Sequence, residues 1–194
     1  MNIGIDIDGT VANLYESLIP YVREWKKNPK LKDITTYNMK GWNLEGNKLT
    51  EILKGFEHTG EYLTLKPYKN SIKVVNELYE NNKIYFLTAR DQYQGVSWDT
   101  LYWLFSNGFK LDGMFTKLRT KHNKIKELEI DLLIEDNPNE IDFEANYCGL
   151  NCIIYDQPWN QEIKENDLIK RCKSWKEIRK YLGKKNEKEI SRTS

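Results

Sequence analysis

The chain has 194 residues, of which 39% are hydrophobic and 30% charged, and its formal net charge is +1. That length suffices for one core domain with a small insertion, and the balanced charge gives no basic excess of the kind that polymeric nucleic acid attracts. No apolar run approaches the roughly 20 residues of a membrane span, and the amino terminus opens directly into a strand, so neither a membrane segment nor a secretory leader is expected.

Residues 3–7 read as the first strand, and it runs into Asp6-Ile7-Asp8-Gly9-Thr10. Residues i and i+2 of a strand point to the same side. Asp6 and Asp8 would therefore repel unless a cation or a proton lies between them. Two solvated aspartates in a plain turn are the simpler account of this motif alone.

Residues 14–66 are rich in helix formers and aromatics. Leu14, Leu18, Tyr21, Val22 and Trp25 recur at helical spacing until Pro29, and Lys48 to Phe56 is a second amphipathic helix. Helices over 70–80, 97–106 and 122–128 alternate with strands over 83–88, 112–116 and 131–135. Gly108 suits a left-handed helix end. Glu140 to Asn146 reads as helical, Cys152 to Tyr155 as a final strand and 174–182 as a last helix. The charged tail from Lys184 to Ser194 lacks apolar periodicity and reads as frayed. Alternating strands and helices predict an α/β fold with a parallel sheet.

The later strands end in chemistry. Residues 84–90 close on Thr88-Ala89-Arg90, and 131–138 on Glu135-Asp136-Asn137-Pro138, with Lys121 and Lys124 between them. Strand carboxyl ends gather in one crevice of an open parallel sheet. Carboxylates, a hydroxyl and a lysine thus converge, a set suited to a divalent cation and a phosphate.

This set resembles the haloacid dehalogenase superfamily of phosphotransferases, over roughly residues 1–160. Asp6 to Thr10 match its first motif, Thr88 its second, a lysine of 121–124 its third and Glu135-Asp136 its fourth. More narrowly the chain is similar to the 5'(3')-deoxyribonucleotidases and their bacterial and phage relatives, through Leu87 to Arg90, Asp131 to Asp136 and Tyr155 to Asn160. Asn13 departs from that subgroup, which often has an acid there. The resemblance implies a Rossmann-like three-layer core of residues 1–13 and 67–183, with a small helical cap of 14–66 inserted after the first strand.

The expected activity is Mg²⁺-dependent hydrolysis of a phosphate monoester, most simply a nucleoside monophosphate. Another small ester such as a sugar phosphate, or a binding domain without catalysis, stays open. Asp6 is the candidate nucleophile, which splits the reaction into two steps through an acyl phosphate. Asp8 is the candidate acid and base. Asp6, the backbone carbonyl of Asp8, and Asp136 would hold Mg²⁺, with Glu135 orienting its water. Thr88, Ala89 and Arg90 would meet the phosphate with a lysine. Lys121 is favoured over Lys124 because it leaves the following helix its full length. Arg90 has a second reading, pairing with Asp91 or another acid. Asp156 to Asn160 reads either as the rim of the site or as a turn around a packed Trp159.

Tyr21, Trp25, Tyr37, Trp42 and Phe56 are candidates for a base-stacking surface or for the cap's own core, with Trp42 foremost because its surroundings read as a loop. Cys148, Cys152 and Cys172 read as reduced thiols, and a metal site at Cys148 and Cys152 lacks histidine partners. His58 and His122 read as structural, with a place near the phosphate left open for His122. A cytoplasmic location follows from the thiols. The oligomeric state, a homodimer included, is left open.

Overall fold

Six strands pair in parallel throughout: β1 (Asn2–Ile5), β2 (Lys83–Leu87), β3 (Gly113–Phe115), β4 (Leu132–Glu135), β5 (Asn151–Tyr155) and β6 (Ile169–Cys172). Their spatial order is β3-β2-β1-β4-β5-β6. The computed structural model describes residues 1–24, 26–37, 39–42, 44, 47–90 and 96–193, with the side chains of 40, 96 and 185–193 left aside.

Alternation along the strands builds two cores. Ile3, Ile5, Ile84, Phe86, Leu132, Ile134 and Ile153 face one side, where Val75 of α3 (Ser71–Tyr79), Trp103 of α4 (Val96–Ser106) and Trp175 of α7 (Trp175–Thr193) cover them. Leu87, Leu133, Cys152 and Ile154 face the other, under Ile125 of α5 (His122–Glu127) and Ile141 of α6 (Pro138–Asp142). The result is three layers. All four residues of β4 are buried, as expected of a central strand covered on both faces.

The chain passes from β1 to β2 and β3 on one side, then crosses back to β4 on the other. The order therefore reverses between β1 and β4, and the crevice at their carboxyl ends is the expected place for a ligand. Residues 14–66 leave and rejoin the sheet at one point. Asn13 N donates to Lys66 O at 3.0 Å and Tyr68 N to Val11 O at 2.8 Å. Between these bonds lie α1 (Leu14–Val22), α2 (Lys48–His58) and short 3-10 turns at 31–33, 40–42 and 61–64. Their apolar side chains are continuous with the first core.

Several elements differ from the sequence reading, β1 among them, which ends at Ile5 rather than residue 7. Helix α1 tolerates Pro20 in its interior and closes at Val22, short of the extent to Pro29 expected from the periodicity. β6 was not expected, since Lys170 and Arg171 at its centre break apolar alternation. An edge strand carries such charges because one side faces solvent. The backbone of α7 continues through the tail to Thr193, a stretch whose lysines and glutamates are good helix formers by type. Among the described residues no helix is long and apolar enough to cross a membrane.

Candidate active site

Asp6 follows β1 directly, and its N–H donates to Ile134 O of β4 at 2.9 Å, which continues the sheet. The chain then folds into a tight turn in which Thr10, Val11 and Ala12 N–H all donate to Ile7 O. Gly9 has φ of 86°, and a Cβ there would lie 2.3 Å from Asp136 Oδ2. Glycine is thus required twice, for the left-handed backbone and for the approach of the β4 acid.

Asp6, Glu135 and Asp136 converge, with carboxylate oxygens all within 4.8 Å of one another. All three are buried. Lys121 precedes α5 and reaches Asp6 Oδ1 at 2.5 Å and Glu135 Oε2 in a shorter contact. Three carboxylates thus surround one ammonium, a balance that a divalent cation or added protons must complete. Burial, with the Glu135 charge next, pushes Asp6 up to about 7 against the pull of Lys121. Burial and Asp6 likewise push Asp136 well above the ordinary carboxylate range. Burial opposes the charge on Lys121, but Asp6 and Glu135 outweigh it and hold its pKa above the ordinary lysine value.

The acids differ in what occupies their oxygens. Glu135 Oε1 accepts from the N–H groups of Asp136 and Asn137, both at 3.0 Å, while Oε2 meets Lys121. Its lone pairs are engaged by protein. Asp136 is held more lightly, by Trp159 Nε1 at 2.9 Å on Oδ2 and Thr10 Oγ1 at 3.4 Å on Oδ1. Asp6 and Asp136 are therefore the carboxylates fitted to a hard cation, and Glu135 to a supporting role.

Asp8 stands apart from this cluster. Arg90 grips it with Nε to Oδ2 at 2.7 Å and Nη2 to Oδ1 at 2.6 Å. The guanidinium also lies 4.4 Å from the Tyr62 ring centroid. Of the two readings of Arg90, the geometry realises the pairing with an acid, and the acid is Asp8; Asp91 lies outside the described residues. In the neighbouring turn Thr88 N donates to Phe115 O and Arg90 N to Thr88 Oγ1. Among the described residues the Ala89 N–H has no partner and Ala89 is exposed, while the Thr88 hydroxyl proton remains for a ligand.

A cavity of about 300 Å³ opens over these groups. Asp6, Asp8, Thr88, Ala89 and Arg90 form its floor, and Tyr15, Tyr37, Met39, Leu53, Glu57 and Tyr62 line the side supplied by residues 14–66. Burial comes first and the carboxylates second in raising the Tyr37 phenol well above its usual range.

Two sequence-level candidates fall away. Trp42 is fully buried, donates from Nε1 to Lys30 O at 3.0 Å and does not line the cavity. Its 3-10 turn (Lys40–Trp42) packs the indole inward to satisfy its apolar area. Lys124 pairs with Glu127 at 2.5 Å on the surface and leaves the site to Lys121. Of the other cap aromatics, Phe56 is core and Tyr21 packs against it while bonding Glu61. Of the five candidates, only Tyr37 among the described residues lines the cavity, and Trp25 lies outside the described residues.

The sequence reading missed Tyr15 and Tyr62 as lining residues. Each is adjacent to the hinge of the insertion rather than in its middle. Both accounts of the 156–160 turn hold together. Trp159 is packed and holds Asp136, Asn160 Nδ2 holds Asp136 O at 2.9 Å, and Gln157 Nε2 donates to Gly9 O at 2.6 Å.

Known proteins share this chain's pattern. A family model described as 5' nucleotidase, deoxy (pyrimidine), cytosolic type C matches residues 1–186. A nucleotidase of Clostridium acetobutylicum is 29% identical over 185 residues, covering 92% of this chain and 91% of its own. The Bacillus subtilis protein YqfW is 25% identical and covers 94% of each chain. A solved haloacid dehalogenase-like hydrolase from Streptococcus pneumoniae superposes with a TM-score of 0.67 at 13% identity, over 93% of this chain and 97% of that one, and shares the fold.

Proposed function

The chain belongs to the cytosolic type C 5'-nucleotidase family, and from that membership we propose that it hydrolyses nucleoside monophosphates with Mg²⁺ through an aspartyl phosphate on Asp6. The observation that carries this is the meeting of Asp6, Asp136 and Lys121 beneath a cavity that also admits Thr88. Asp6 and Asp136 fit a hard divalent ion, with the Asp8 backbone carbonyl as a third ligand. When bound, Mg²⁺ supplies the positive charge that lets a phosphate dianion approach a carboxylate.

Lys121 occupies one oxygen of Asp6, which leaves the other for in-line attack on phosphorus. The bond from phosphorus to the ester oxygen breaks as the bond to Asp6 forms. Lys121, the Thr88 hydroxyl and the Ala89 N–H receive the phosphoryl oxygens. Asp8 gives its proton to the departing ester oxygen, then takes one from the water that cleaves the acyl phosphate.

Arg90 occupies both carboxylate oxygens of Asp8 in the resting site. An arriving phosphate competes for the same guanidinium. Exchange of Arg90 from Asp8 to phosphate frees the Asp8 carboxylate to take a proton from solvent, which it then passes to the ester oxygen, so Arg90 serves both of its readings in turn.

Residues 14–66 act as the cap over a core of 1–13 and 67–183. The cap contributes Tyr15, Tyr37 and Tyr62 as the surface that meets the nucleoside. The free cysteines suit a reducing compartment such as the cytoplasm. A panel of ribo- and deoxyribonucleoside monophosphates and sugar phosphates, assayed with and without Mg²⁺, tests the reading. Turnover of sugar phosphates alone, or turnover independent of divalent ions, would overturn it.

A further inference from the structure

A second cluster of metal-binding side chains lies on the opposite face of the sheet from α3, α4 and α7. His122 opens α5, and Glu144 belongs to a π-helical turn (Phe143–Tyr147) that extends α6 and ends at Cys148. The histidine partner that Cys148 lacks in sequence is supplied by folding, from 26 residues earlier in the chain. His122 Nδ1 lies 3.1 and 3.4 Å from the Glu144 oxygens and 3.7 Å from Cys148 Sγ. The three ligand atoms all fall within 4.8 Å of one another.

We propose that His122, Glu144 and Cys148 form a binding site for a thiophilic divalent cation of the zinc class, separate from the Mg²⁺ site. A tetrahedral zinc ion, with bonds of about 2.0–2.3 Å, sets its ligand atoms roughly 3.3–3.6 Å apart. The observed His122 separations bracket that spacing. The donor set of one imidazole, one carboxylate and one thiolate selects zinc over magnesium, which prefers oxygen and retains water.

Two further observations point the same way. The Glu144 carboxylate is 1% exposed, and among the described residues His122 is its only ion-pair partner. Burying a carboxylate with so few partners is costly, and a bound cation would offset that cost. A π turn inside a helix is uncommon and tends to mark functional positions; here it brings Glu144 and Cys148 to the same side. Cys148 itself is exposed, so an ion has a path in, and a fourth position stays open to water. Binding displaces the thiol proton to solvent and forms a sulfur–metal bond with no redox change. The ion would fix the first residue of α5, one position after Lys121.

The test is a titration of the metal-free full-length protein with Co²⁺ in excess Mg²⁺, following thiolate-to-cobalt charge-transfer absorption, then competition by Zn²⁺. One equivalent per chain is expected to give the band and Zn²⁺ to abolish it. Cys148→Ser, at an exposed position, is expected to remove the band and weaken Zn²⁺ binding by at least about 10-fold. His122→Ala should weaken it similarly, while Asp136→Asn should leave the band intact. No band in the wild type, a band unchanged in Cys148→Ser, or one lost with Asp136→Asn would overturn the proposal.

Discussion

The Arg90 guanidinium holds Asp8 through two parallel hydrogen bonds of 2.7 and 2.6 Å, across 82 residues of sequence. The pair joins the end of β2 to the turn after β1. It sets which oxygens of Asp8 are engaged before substrate arrives. Arg90→Lys keeps the charge and loses the fork. Turnover is expected to fall by about 10²-fold, near the low end of what a positioned acid contributes. The phosphorylation step should lose less with esters whose leaving groups need no proton. Equal losses for good and poor leaving groups would show that Arg90 does not act through Asp8.

Trp42 is predicted to matter for stability and not for substrate choice. Trp42→Ala should lower unfolding stability by about 3–5 kcal/mol, as for other buried aromatics. Trp42→Phe keeps a ring, loses the bond to Lys30 O, and should cost about 1 kcal/mol. In that milder variant the ratio of KM values for a nucleotide and a small generic ester should stay at the wild-type value. A selective rise for the nucleotide would return Trp42 to the binding surface.

Gly9→Ala places a methyl group 2.3 Å from Asp136 Oδ2 and 2.9 Å from Tyr15 Cε2, on a backbone with φ of 86°. The strained backbone alone should cost about 1–3 kcal/mol. Asp136 must also shift, so the concentration of Mg²⁺ needed for half-maximal activity should rise. An alanine variant with wild-type Mg²⁺ dependence would show that Asp136 does not hold the ion.

The strand ends were legible because each is an apolar run closing on a polar residue that folding does not require. Asp6, Thr88 and Asp136 stand out in that way, and the structure brings them together with Lys121. Trp42 was misjudged because loop-like neighbours say nothing about which way an indole points. β6 was hidden by Lys170 and Arg171, whose exposure is a property of its edge position. Tyr15 and Tyr62 are separated by 47 positions and become neighbours of one cavity only when the insertion closes on itself. His122 and Cys148 meet for a similar reason, through packing of α5 against the π turn.

Removal of divalent ions is expected to make stability depend on pH in a defined direction. Asp6 rises from an ordinary 3.8 to about 7 on folding. Between those values the folded state binds more protons than the unfolded state, so stability falls as pH rises through that window. With a chelator present, the melting temperature should drop from about pH 4 to about pH 7 by way of this group. Saturating Mg²⁺ replaces the proton and should stabilise the fold increasingly toward neutral pH. A Mg²⁺ effect that is constant or shrinks across the window would contradict the shared site.

The central claim is that Asp6 is the nucleophile of a Mg²⁺-dependent nucleotidase. Its most direct test is the rate of nucleoside-monophosphate hydrolysis by Asp6→Asn beside the wild type, at saturating Mg²⁺ and with both proteins shown to be folded. An amide cannot form the acyl phosphate, so turnover should fall on the order of 10³-fold or more, while the wild type turns over and stops when Mg²⁺ is chelated. Asp6→Asn activity near the wild-type rate would contradict the account.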